Sequence, residues 1–199
     1  MPNAEFHKRY TLNAMPVLIS MFRGVNVGAH NRIKMDALRA VYESLKLEDA
    51  RTYVQSGNVI FRTKEKNTAA LAKRIESAFE SKFGFHSEVI LRSAGELRKA
   101  IAASPFTGRR DVEPAKLLVT FLAGDPGPDA RATLRSLKGH PEELHLVERE
   151  LYIYFPNGAG KSKLPWASLA KLLKTTGTAR NWNSVTKMLE IAEELGAAG

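Results

Sequence analysis

The chain has 199 residues, 44% of them hydrophobic, with 30 Lys and Arg against 21 Asp and Glu for a net charge of +9, and it contains no cysteine. That is enough apolar material for one large domain or two small ones, and the missing thiols exclude a disulfide framework, a thiolate metal site and a cysteine nucleophile. No apolar run approaches the roughly 20 residues of a membrane span and the N-terminus lacks a signal-peptide core, so a soluble, cytoplasmic protein without membrane contact is expected.

Residues 1–14 are polar and aperiodic and read as a flexible extension. From Pro16 to Phe22 an apolar run predicts a strand buried on both faces. It breaks into a loop of glycines, asparagines and cations, after which Met35, Leu38, Val41, Tyr42 and Leu45 predict a helix over 35–46, with Asp36 favourable in its first turn. Residues 51–54 and 59–63 read as strands joined by the polar turn 55–58, where Gly57 suits a positive φ. Asn67 or Thr68 caps a second helix that lines Leu71, Ile75, Phe79 and Phe83 along one side and closes at Gly84; a strand over 88–92 follows. The order is βαββαβ, the split ferredoxin-like arrangement.

Ser93 and Glu96 form a capping box that opens a connecting helix to about 103, and 105–115 is a polar linker. A boundary there sets 15–104 and 116–199 as two subdomains. The second half reads as a strand over 116–123, a helix over 128–138, strands over 144–148 and 151–155, and a helix over 165–174 with Trp166, Leu169, Leu172 and Leu173 on its face. A last helix over 181–195 ends at Gly196. The expected class is therefore α+β: two ferredoxin-like (βαββα-type) subdomains packed into one compact unit, with a C-terminal helix.

Four blocks carry a family resemblance: Arg23 to Gly28 with Ile33 to Met35, Thr52 to Phe61, Gly158 to Leu164, and Arg180 to Val185. Together they resemble the signature of the bacterial family called domain of unknown function 1697. Ala29, Lys161 and Ser184 stand where the family favours glycine, arginine and threonine. The resemblance implies two ferredoxin-like subdomains and no established activity.

The same blocks hold the candidate site. Glycine lets backbone amides approach a ligand, asparagine offers donor and acceptor and tolerates left-handed backbone, and cations supply charge. Arg23, Asn26, Asn31 and Lys34 in the first loop, Gln55, Ser56 and Asn58 in the turn, and Lys161, Arg180, Asn181 and Asn183 in the later segments make a cradle for an anion or an amide. The same side chains serve equally well to cap helices and tie loops to backbone carbonyls, and both readings stay open. Between Leu151 and Leu189 there are six cations and no carboxylate. Gly160 Lys161 Ser162 supplies the end of a phosphate-binding P-loop, but Phe155 stands where its first glycine belongs, which excludes a nucleoside triphosphatase of that type. The strand over 59–62 has one aromatic and no RNA-recognition pattern, so contact with nucleic acid would run through phosphates. Of the histidines only His30 lies in a motif loop, and neither a nucleophile elbow nor a metalloprotease pattern is present. Three functions fit: a binding module for an anionic ligand such as nucleic-acid backbone, a small-molecule enzyme acting on a phosphorylated or carboxylated metabolite with His30 as acid or base, and a protein-interaction module without a ligand. No metal or cofactor is called for.

Overall fold

The computed structural model describes residues 15–28, 31–137 and 139–198. Its contacts divide into two units, one made of the chain to Ala94 together with Met188 onward, the other of Gly95–Lys187. The expectation for residues 1–14 lies outside the described residues.

The first unit follows the sequence pattern closely. Strand β1 (Val17–Phe22) is buried at all six positions and lies between β3 (Asn58–Arg62) and β4 (Val89–Ser93); β2 (Glu48–Tyr53) completes an antiparallel sheet of order β2-β3-β1-β4. Helices α1 (Met35–Ser44) and α2 (Thr68–Phe83) cover one face. Leu18 and Phe22 from β1 join Val59 and Phe61 from β3 in a core with Leu38, Tyr42, Leu71 and Phe79 from the helices. The ends of α2 use the expected devices: Asn67 Oδ1 accepts the Ala70 N–H, and Gly84 takes a left-handed C-cap at φ 77°. Ser20 is the one polar residue on the core face of β1, and it is satisfied there by the Tyr42 hydroxyl and by donating to the Val59 carbonyl. Burial pushes the Tyr42 hydroxyl pKa up, the Ser20 contact partly opposing it.

The opposite face of this sheet is also covered, as a strand apolar on both sides requires. Its cover is the C-terminal part of the last helix, α6 (Trp182–Ala197), which buries Met188, Ala192 and Leu195 and accepts a hydrogen bond from Arg62 Nη2 at the Leu195 carbonyl.

In the second unit β5 (Leu117–Leu122), α4 (Gly127–Ser136), β6 (Glu143–Val147), β7 (Glu150–Tyr154) and α5 (Trp166–Leu173) follow in order. Leu122, Leu151, Ile153 and Phe155 pack against Leu134, Leu169 and Leu173 of the helices. On the other face Tyr152 donates its hydroxyl hydrogen to the Ala100 carbonyl of α3 (Ala94–Ala102) at 2.6 Å, and Arg149 pairs with Glu96.

One strand is missing from the sequence reading. The segment before the last helix, expected as a loop, is β8 (Gly177–Asn181), paired with β5 in a sheet of order β6-β7-β5-β8. It escapes pattern reading because it is a short edge strand with neither alternation nor β-branched enrichment. Its glycine has a packing reason: a Cβ at Gly177 would lie 2.9 Å from Leu122 Cδ2 and Thr120 Cγ2. The second half is thus βαββαβ, and its ladders repeat those of the first. Val17 pairs with Arg62 and Leu117 with Tyr154; Leu18 pairs with Ser93 and Leu118 with Asn181.

Smaller differences concern element ends. Strand β2 starts earlier than expected, through an irregularity between Glu48 and Arg51, and Trp166 is 49% exposed instead of turned inward.

Gly57 combines a φ of +73° with a close approach, a Cβ there lying 3.0 Å from Phe22 Cβ. Gly28 has a φ of +60° in open space. Gly57→Ala is expected to cost about 2–3 kcal/mol and to lower Tm by roughly 5–10 °C, and Gly28→Ala about 1 kcal/mol. Thermal unfolding followed by circular dichroism compares the two.

Candidate functional site

The split βαβ topology brings three loops to one end of the first sheet. Strands β1 and β2 end there, and β3 and β4 begin there. Backbone bonds fasten the loops to one another: the Phe22 N–H donates to the Gly57 carbonyl and the Arg23 N–H to the Glu88 carbonyl, both at 2.9 Å.

Asn26 is the centre of this assembly. Its Nδ2 donates to the Ile33 carbonyl at 3.3 Å and to the Gln55 carbonyl at 2.7 Å, while its Oδ1 accepts the Ile33 N–H at 2.8 Å. Its own N–H donates to the Asn31 carbonyl, and Asn31 Nδ2 donates back across the loop to the Gly24 carbonyl at 3.2 Å. The loop reverses through left-handed backbone at Gly24, Asn26, Gly28 and Asn31, the residue types that adopt it at least cost. In the turn, the buried Asn58 donates to the Tyr53 carbonyl at 3.1 Å and to Ser56 Oγ at 2.9 Å. Asn26, Asn31, Ser56 and Asn58 are therefore engaged in holding the loops.

What faces solvent is a smaller set. Arg23 is exposed but paired with Glu88 Oε2 at 2.9 Å. Arg32, Lys34 and Gln55 are exposed, and among the described residues neither cation forms an ion pair. Two apolar side chains accompany them, Val27 at 66% and Val54 at 45% exposure, each next in sequence to one partner of the Asn26–Gln55 bond. Val54 has a φ of 50°, a conformation that costs a β-branched residue about 1–3 kcal/mol and that collects at functional sites. The sequence reading passed over both valines; their signal is an apolar residue amid an otherwise polar motif. His30 lies outside the described residues.

The candidates of the second unit are arranged differently. Arg180 lies on β8 and is buried, its Nη1 donating to Thr178 Oγ1 at 2.7 Å and to the Ala179 carbonyl at 2.9 Å. Burial pushes its pKa down to about 10, which leaves it charged at neutral pH. Asn181 donates to the Ala115 carbonyl at 2.8 Å and caps α6 by accepting the Asn183 N–H at 3.1 Å. The Asn183 side chain is exposed. Lys161 is exposed in a 3-10 turn (Ala159–Lys161) that Gly158 enters at φ 84°. No group of three or more His, Asp or Glu among the described residues could hold a metal ion, and no helix there is long and apolar enough to cross a membrane.

Fold and loops together define an α+β protein of two ferredoxin-like subdomains whose first sheet carries a hydrogen-bonded platform of loops at one end. The chain belongs to the family described as Protein of unknown function (DUF1697), whose model matches residues 15–152. The motif blocks at 158–164 and 180–185 lie beyond the matched residues. Among solved structures the chain is similar to the conserved bacterial protein SP0830 from Streptococcus pneumoniae, with 25% identity and a TM-score of 0.65 over 90% of this chain and 99% of that one. Comparison with curated proteins returned no match.

Asn26→Ala removes three side-chain bonds and is expected to cost about 2–4 kcal/mol, whereas Gln55→Ala, which leaves the Gln55 carbonyl in place, stays within about 0.5 kcal/mol. Urea unfolding of the two variants separates a framework residue from a surface one.

Proposed function

We propose that the loop platform of the first unit binds an anionic ligand, with the phosphate backbone of nucleic acid as the favoured class. The observation that supports this most is the separation of roles within the platform. Asparagines hold the backbone, and Arg32 and Lys34 stand two residues apart, exposed and without ion pairs among the described residues. A rigid mount for unpaired cations lowers the ordering cost of binding a phosphate. Base stacking on the sheet has no support, since β1 is buried along its whole length; contact through phosphates needs no open sheet. In this reading Arg32 and Lys34 supply charge, the Gln55 amide orients the ligand and Arg23 joins when it leaves Glu88. The buried Arg180 of the second unit acts on the framework of β8.

A second reading has an observation of its own: the exposed Val27 and Val54 beside the same cations suit a protein partner. Salt separates the two. Fluorescence anisotropy with labelled single- and double-stranded oligonucleotides is expected to show binding that weakens steeply as salt rises. Arg32→Ala/Lys34→Ala should lose about tenfold or more in affinity and reduce the salt slope by about 2. Absence of binding at low salt, or binding unchanged in a folded double variant, would remove nucleic acid from the reading.

A further inference from the structure

The motif block at 158–164 lies in the connection between β7 and α5, and the structure closes this loop on itself. Its backbone turns are tight. The Gly158 N–H donates to the Phe155 carbonyl at 2.9 Å, the Lys161 N–H to the Gly158 carbonyl at 3.1 Å and the Trp166 N–H to the Leu164 carbonyl at 2.9 Å. Ser162 Oγ accepts the Leu164 N–H at 3.2 Å, and Leu164 is buried in the core of the second unit. The two ends meet through their rings, Phe155 and Trp166 stacking with centroids 6.1 Å apart and planes 30° from parallel. A short surface loop whose ends touch and that is tied by its own bonds is an Ω-loop, a form that frequently carries function.

Trp166, at the first position of α5, is 49% exposed, whereas Phe155 is buried. Side chains of a helix lean toward its N-terminus, so the indole leans over the loop, packed against Phe155 on one side and open to solvent on the rest. Lys161 and Lys163 of the same loop are exposed, and among the described residues neither forms an ion pair. From Leu151 to Leu189 the sequence has no carboxylate to oppose them. Where the loop leaves the sheet, the Phe155 N–H donates to the Lys116 carbonyl, and Glu113 there is already paired with Lys116 at 2.7 Å.

We propose that this loop binds single-stranded nucleic acid, one base stacking on the open side of Trp166 and the neighbouring phosphates meeting Lys161 and Lys163. The surroundings of the ring decide the class of ligand. A protein partner needs several apolar side chains side by side, and among the described residues of the second unit Trp166 is the one large hydrophobic residue that is exposed. A lone ring beside unopposed cations suits a ligand that is planar at one point and anionic at the next, and a strand of nucleotides repeats that pair at every residue. A duplex keeps its base faces stacked on one another, so single strands are favoured. The surface uses no residue of the loop platform in the first unit.

The test is fluorescence anisotropy of the full-length protein with a labelled thymidine oligonucleotide of about 12 residues, beside an abasic strand of equal length that keeps the phosphates and lacks the bases. Trp166→Ala is expected to weaken binding of the thymidine strand about tenfold or more and to leave that of the abasic strand within about twofold, while Trp166→Phe, which keeps a ring, restores most of the loss. Lys161→Ala/Lys163→Ala should weaken both strands. In Trp182→Phe, where Trp166 is the remaining tryptophan, the thymidine strand should quench emission and the abasic strand should not. That measurement carries the decision if Trp166→Ala unfolds. The dependence on Trp166 should persist in Arg32→Ala/Lys34→Ala, whose own loss of affinity reports on the loop platform. No binding at low salt, affinity that a folded Trp166→Ala leaves unchanged, or an equal loss for both strands in that variant would overturn the proposal.

Discussion

The side-chain amide of Asn26 is the constraint on which the candidate site depends. One planar group bonds to both backbone atoms of Ile33 across its own loop and to the Gln55 carbonyl of the neighbouring turn. A loop closed through left-handed residues has no helix or strand ladder to satisfy its backbone, and each unpaired buried group would carry a cost comparable to a lost hydrogen bond. Asn26 supplies that satisfaction and at the same time fixes the distance between two loops. Gly57 completes the mount, since the turn can press against Phe22 and Val25 only without a Cβ. Arg32, Lys34, Val27 and Val54, which face outward, ride on this frame.

The second unit repeats the architecture of the first. Its ladders copy the register of the first, so that Arg92 and Arg180 occupy matching positions, next to last in β4 and β8. Both are buried, and each directs Nη1 to the carbonyl of the preceding residue. Matching positions therefore hold matching chemistry despite little visible sequence likeness. The divergence lies in the helical layer, where α5 has half the length of α2, and in the loops.

Much of the fold was legible because its signals are local. The both-sided apolar run of β1, the Asn67 cap, Gly84 at the end of α2 and the turn at Gly57 each act within a few residues, and the structure has them where the sequence puts them. Strand β8 was not legible. Its place comes from pairing with β5, some sixty residues away in sequence, and the need for glycine at 177 comes from the close approach of Thr120, Leu122 and the Phe121 carbonyl on that strand. The return of residues after Met188 to the first unit is equally non-local. For the candidate site, residue types led to loops that gather at one end of the first sheet but could not separate the side chains that hold those loops from the ones left exposed. An asparagine that binds a ligand and one that binds a carbonyl look the same in sequence. Arg180 shows the same limit: it reads as a loop cation, and only the ladder buries it.

Amide hydrogen exchange at Ile33 in the free protein measures most directly whether the loop platform is preformed, because that N–H donates to Asn26 Oδ1 at 2.8 Å. A preformed platform predicts exchange slowed by about a hundredfold or more relative to an unstructured chain, with the protection lost in Asn26→Ala. Exchange within about tenfold of the unstructured rate would mean that the loop samples open states freely and that Arg32 and Lys34 are not held for a ligand.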